Sequence, residues 1–285
     1  MLSWILAELA RSFPGPRPSC SGGGGANLLH HIQDKLLVDG PLFTIAGMPV
    51  YFTKHALLLF VAAFLTLACF VPLALVLSRN PGRGPRGKFV NLLEAFVVFM
   101  RDEVIGPNLG HHKEAYLPFF LTLFHFILFC NLLGMIPGSA VATGNLGVTA
   151  TLAVITLLVG TGGGMAAQGP VKFLKNLVPH GIPWPVLFLL YPLEVMGLLI
   201  KHVALALRLF ANMIAGHIVL GSLIMLIFMT KALSGSDWMT GAIAPGPILM
   251  AAALSGLELF VGFLQAYIFV LLGSLFVGMA LSPEH

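Results

Sequence analysis

The sequence predicts an all-α, polytopic integral membrane protein, and three observations carry that prediction. Of 285 residues, 58% are hydrophobic and only 9% are charged, against about 25% charged in soluble domains. Apolar runs reaching the roughly 20 residues of a transmembrane helix recur along the chain. The basic residues are concentrated: Arg79, Arg83, Arg86 and Lys88 share one short loop, with Arg101 and Lys113 close behind. That is the positive-inside pattern of a cytoplasmic loop rather than a nucleic-acid patch. A mean hydropathy of +0.95 excludes a polar-surfaced globule. The chain reads as one membrane domain, 55–285, preceded by an extramembrane segment and linker, 1–54.

Within 1–54, Glu8 and Arg11 interrupt any apolar run long enough to span, and they make a poor signal peptide. Pro14-Gly15-Pro16-Arg17-Pro18 and Gly22 to Gly25 form a flexible linker. His30 and His31 lack further spaced ligands, so they read as solvent-exposed rather than metal-binding. Cys20, Cys69 and Cys130 are too few and too scattered for a metal or disulfide framework.

His55 to Leu77 is the first crossing. Phe89 to Ile105 differs: Leu92, Leu93, Phe96, Val97 and Met100 recur at helical spacing between Asn91, Glu94, Arg101, Asp102 and Glu103. That predicts an amphipathic helix lying in the interface. Tyr116–Ile136 and Val148–Gly160 are two further crossings, joined through Pro137-Gly138-Ser139. The run Gly160-Thr161-Gly162-Gly163-Gly164 lacks the Gly-Lys-Ser/Thr of a phosphate loop and reads as close helix packing. Lys172 and Lys175 mark another aqueous loop on the positive side. Trp184–Met229 and Pro245–Leu281 each exceed one perpendicular crossing, so they predict a long, tilted or bent helical hairpin.

Arg208 is the residue most in need of explanation. It interrupts Leu205-Ala206-Leu207-Arg208-Leu209-Phe210-Ala211 and cannot shed its charge at physiological pH. A charge at mid-membrane costs about 2.5 to 3.5 kcal/mol on insertion scales, so such a residue marks an ion or substrate path. Glu194, Lys201 and Arg208 are seven apart, which places them on one helix stripe at intervals of about 10.5 Å. Asn212 extends the stripe, whereas His217, nine beyond Arg208, faces another neighbour. Glu258 and Gln265 repeat the seven-residue spacing on the last helix. Ion pairing of Glu194 with Lys201, or of Arg208 with Glu258, is the structural alternative. It is the weaker one, because desolvated pairs rarely outperform apolar packing. His217 and Glu258 can both exchange protons, and a fixed cation beside such groups suits proton movement.

The run Leu205 to His217, with Gln265-Ala266-Tyr267-Ile268-Phe269 and Asn131-Leu132-Leu133-Gly134-Met135-Ile136-Pro137, resembles subunit a of the rotary F-type ATP synthase. The likeness covers roughly 52–285. It implies a membrane stator beside a ring of c subunits, whose carboxyl groups take protons from one aqueous half-channel and release them to another. Peripheral-stalk b subunits and the rest of the synthase would be its partners, with lipid around it and no nucleic acid. It implies no cofactor, and no catalytic chemistry in this chain alone.

By resemblance, Arg208 attracts each arriving ring carboxylate and blocks a short circuit between half-channels. Asn212 and Gln265 flank it, His217 and Glu258 line the intake half-channel, and Glu194 lies toward the exit. Some bacterial members have Glu and His where this chain has His217 and Glu258; the exchanged order resembles mitochondrial members and other bacteria. Gly134 replaces an aspartate of some members, and Ala211 a frequent glycine.

A self-contained secondary transporter with an anion-binding Arg208 is the competing reading. It predicts internal repeats, and no convincing repeat is present. A membrane-embedded enzyme would need a metal cluster or a nucleophile–base motif, neither of which the sequence offers. The basic loop puts the amino terminus outside, in agreement with Lys172 and Lys175. A bacterial plasma membrane is expected over a mitochondrial inner membrane, since no Arg-rich, acid-poor presequence begins the chain.

Overall fold

With no water to bond to in lipid, backbone groups must be satisfied within each segment, and helices do this. The computed structural model describes residues 43–45, 48–50, 53–79, 87–136, 141–176, 184–234 and 245–281. Cys20, His30, His31, Arg83, Arg86 and the turn 137–139 lie outside the described residues. A short antiparallel hairpin precedes the membrane domain. Its strands β1 (Phe43–Ile45) and β2 (Met48–Val50) pair Phe43 with Val50 and Ile45 with Met48. Nothing in the linker-like composition of 1–54 predicts it.

Helix α1 (Lys54–Arg79) begins where Thr53 Oγ1 accepts the Ala56 amide at 3.3 Å, satisfying one of the free amides of the first turn. Helix α2 (Lys88–Phe99) continues through a π-helical turn (Met100–Ile105) into a short α3 (Gly106–Leu109). The amphipathic pattern has a clear outcome. Met100, Val104, Ile105 and Leu109 are buried against Phe120 and Phe124 of α4 (Lys113–Gly134) and Phe269 of α8 (Pro245–Leu281). Asp102 stays outside, 3.0 Å from Arg101 and 3.6 Å from Lys113.

Helix α5 (Leu146–Gln168) is capped by Asn145, whose side chain accepts the Gly147 amide at 2.8 Å. It runs past the expected end at Gly160, and Gly160, Gly163 and Gly164 are packed against neighbouring segments. A Cβ at Gly164 would stand 2.7 Å from the Ala280 carbonyl oxygen and 2.6 Å from the Phe173 ring. At Gly169 the backbone turns with φ +83°, open to glycine, and α6 (Pro170–Asn176) follows. Lys172 and Lys175 are thus exposed on a short helix rather than a loop. Gln168 donates to the Ala280 and Leu281 carbonyls at 3.0 and 3.1 Å, which lack helical partners at the end of α8.

Helix α7 (Trp184–Ser234) has 51 residues and α8 has 37. At 1.5 Å per residue these are about 76 and 56 Å long, against a hydrocarbon core of about 30 Å. Five helical stretches are long and apolar enough to cross a membrane: Lys54–Pro72, Val90–Gly134, Leu146–Gln168, Phe188–Leu223 and Pro245–Leu281. The second joins α2 to α4, so by composition the amphipathic helix is continuous with a crossing. Large apolar side chains cover the outside, among them Phe60 and Phe64 of α1, Phe188 and Val203 of α7, and Phe260 of α8. The protein is all-α and polytopic in its membrane domain.

Candidate proton-path site

Helix α7 has two unlike sides. His202, Leu205, Ala206, Leu209 and Met213 are buried against the bundle. Lys201, Leu207, Arg208 and Ala211 face outward, with Glu194 and Asn212 half-buried beside them. Among the described residues no carboxylate lies within ion-pair distance of Arg208, and Glu194 forms no ion pair with Lys201. The pairing alternative therefore fails for both couples. Lys201 instead holds its ammonium 5.8 Å from the centre of the Phe276 ring.

His217 and Glu258 are brought together. His217 Nδ1 lies 3.1 Å from Glu258 Oε1, and the carboxylate is buried. The same Nδ1 is aligned with the Met213 carbonyl at 3.1 Å, while Nε2 meets the Gly134 carbonyl at 3.0 Å. The contact with Glu258 is accordingly a close approach of ring and carboxyl rather than an aligned hydrogen bond. Both Glu258 oxygens lack a hydrogen-bond partner among the described residues. One ring proton satisfies one of the two carbonyls and two protons satisfy both, so the ring has hydrogen-bonding places ready for either state.

A crevice of about 220 Å³ runs from Glu258 to Asn212 along Gly216, Val219 and Val261. Asn212 Nδ2 is buried there and also lacks a hydrogen-bond partner among the described residues. At about 30 Å³ per water, the crevice has room for several, and its ends are the groups that need them. Asn212 is one helical turn from Arg208.

At the other end of the stripe a cavity of about 720 Å³ is lined by Glu194, Lys201 and His202 of α7, with His111, His112 and Asn176 opposite. His202 is fixed by Nδ1 at 2.9 Å from the Leu198 carbonyl. Glu194 is about 21 Å from Arg208 along the helix, and His217 about 13.5 Å on the other side. Gln265 is half-buried on α8, about 10.5 Å beyond Glu258.

Two contributors were not singled out by spacing. Gly216 admits the carboxylate: a Cβ there would stand 2.5 Å from Glu258 Oε1. His202 joins the cavity as a lone polar residue beside Lys201 in an apolar run, which was its only sequence signal.

The family model for the ATP synthase A chain matches residues 56–278. The chain is 40% identical over 267 residues to an ATP synthase subunit a of Chloroherpeton thalassium, covering 90% of this chain and 77% of that protein. It is 38% identical to an ATP synthase subunit a 2 of Chlorobaculum tepidum, covering 96% and 78% respectively. It is 43% identical to an ATP synthase subunit a of Myxococcus xanthus, covering 82% and 74%. With the match running through α1, α4, α5 and the long hairpin that carries Arg208, His217 and Glu258, this chain belongs to the ATP synthase subunit a family.

Proposed function

We propose that the chain is the proton-conducting stator of a rotary ATP synthase, forming two aqueous half-channels against a c-subunit ring. The observation that carries this reading is the order of groups along α7: a crevice beside Glu258 and Asn212, a charge at Arg208 with no carboxylate partner among the described residues, and a wide cavity lined in part by Glu194 and Lys201. Protons enter by His217 and Glu258 and pass along the crevice toward Asn212. They leave through the cavity lined by Lys201 and Glu194. Arg208 stands between the two, on the outward face where a ring carboxylate passes, and its fixed charge keeps protons from crossing directly. Gln265 supports the same region from α8.

In this reading the domain 55–285 lies in a bacterial plasma membrane, with the amino terminus outside and the loops near Lys88 and Lys172 in the cytoplasm. Helix α2 sits at the interface, α7 and α8 are strongly tilted, and b subunits hold the stator against the ring. The chain itself makes no ATP. Each charge crossing 100 mV releases about 2.3 kcal/mol, so several must pass for each ATP made elsewhere.

Arg208→Ala tests the reading: proton-driven ATP synthesis in membrane vesicles is lost while the complex still assembles. Arg208→Lys fails as well, because an ammonium lacks the planar fork and can lose its proton when desolvated. Near-normal coupled synthesis in Arg208→Ala would refute the assignment.

A further inference from the structure

We propose that the turn Asn131–Gly134 of α4, oriented by Thr143, is the positioning element that holds His217 and Glu258 in contact. The proposal rests on the proton-relay reading of that pair. His217 and Glu258 belong to two long helices, and their side chains share no aligned hydrogen bond that would fix their separation. Gly216 permits the close approach but cannot set it.

Helix α4 meets His217 itself and the helix that carries Glu258. Asn131 is buried, 1% exposed, and its Nδ2 donates to the Gly262 carbonyl at 2.9 Å. Gly262 lies one turn beyond Glu258 on α8. Three residues after Asn131, the Gly134 carbonyl lies 3.0 Å from His217 Nε2 and accepts from it whenever that nitrogen carries a ring proton. This oxygen belongs to the last turn of α4, where carbonyls have no helical donor. One turn of α4 thus holds α8 by a side chain and α7 by its backbone.

Thr143 makes the arrangement directional. It is fully buried, and its hydroxyl donates to Asn131 Oδ1 at 2.9 Å. An amide whose oxygen is taken in this way presents its NH₂ end to Gly262, the only end able to bond a carbonyl. Without the hydroxyl the amide is free to rotate, and a buried oxygen loses its donor. Asn131 and Thr143 are positioning residues, acting through Glu258 and touching no proton themselves.

The test uses the assembled synthase in membrane vesicles, with proton transport normalised to the amount of complex. Thr143→Val keeps the shape and removes the donor, and transport per complex falls about five-fold, the size of one neutral hydrogen bond. Thr143→Ser restores it. Asn131→Asp, which keeps the shape and removes the NH₂ donor, gives the same loss. As a second measurement, the disulfide between His217→Cys and Glu258→Cys forms more slowly in a Thr143→Val background. Wild-type transport per complex in Thr143→Val, or equal losses in the Val and Ser variants, overturns the proposal. His217→Ala serves as the control: its loss of transport alongside normal Thr143→Val overturns this proposal alone, whereas normal transport in His217→Ala overturns the relay reading and this proposal with it.

Discussion

Around His217 the α7–α8 hairpin closes on a buried acid–imidazole contact beside a crevice of about 220 Å³, whereas around Glu194 it opens into a cavity of about 720 Å³. At the closed end each group has named neighbours: Met213, Gly134 and Glu258 around His217, and Gly216 beneath the carboxylate. At the open end Glu194 is half-exposed and Lys201 faces outward over Phe276. The difference follows from solvation. A desolvated group depends on a few fixed partners, and removing one leaves the other uncompensated. A group in a wide, open cavity can exchange a lost partner for water at little cost.

The closed end gives the larger expected effect. His217→Ala and Glu258→Gln each slow proton transport about a hundred-fold, the lower range for removing a positioned proton-transfer group. The double variant is no slower than the worse single one, because the two act as a unit. Rates that instead multiply would mean that the 3.1 Å contact has no functional coupling. The measurement is vesicle acidification at equal amounts of complex.

The open end gives the smaller effect. Glu194→Gln slows proton release only about two- to three-fold, since bridging water replaces a carboxylate oxygen nearly as well. A hundred-fold loss there would erase the contrast between the ends and make Glu194 a fixed relay like Glu258.

Much of this arrangement was legible in the sequence, for reasons that can be named. Seven-residue spacing puts Glu194, Lys201 and Arg208 on one flank of any straight helix, and the structure keeps α7 continuous through all three. The nine-residue offset of His217 turned it toward α8 for the same geometric reason. What spacing cannot express is contact between distant segments. The bond from Thr143 to Asn131 and the bond from Asn131 to Gly262 join three elements, and no local pattern contains both ends. Gly216 is similar: its value appears only once the Glu258 carboxylate lies against it. The crossing expected over 148–160 extends to Gln168, since the glycine run read as close helix packing does pack, Gly164 against the backbone at Ala280 and the Phe173 ring.

The proposed function requires two half-channels opening to opposite sides, with Arg208 between them, and sided labelling tests that most directly. Single cysteines are placed at 194 and at 217 in vesicles of known orientation, and a membrane-impermeant thiol reagent is added to one side at a time. The account predicts that Glu194→Cys reacts from the cytoplasmic side and His217→Cys from the opposite side. Reaction of both from the same side, or with the sides reversed, would contradict it.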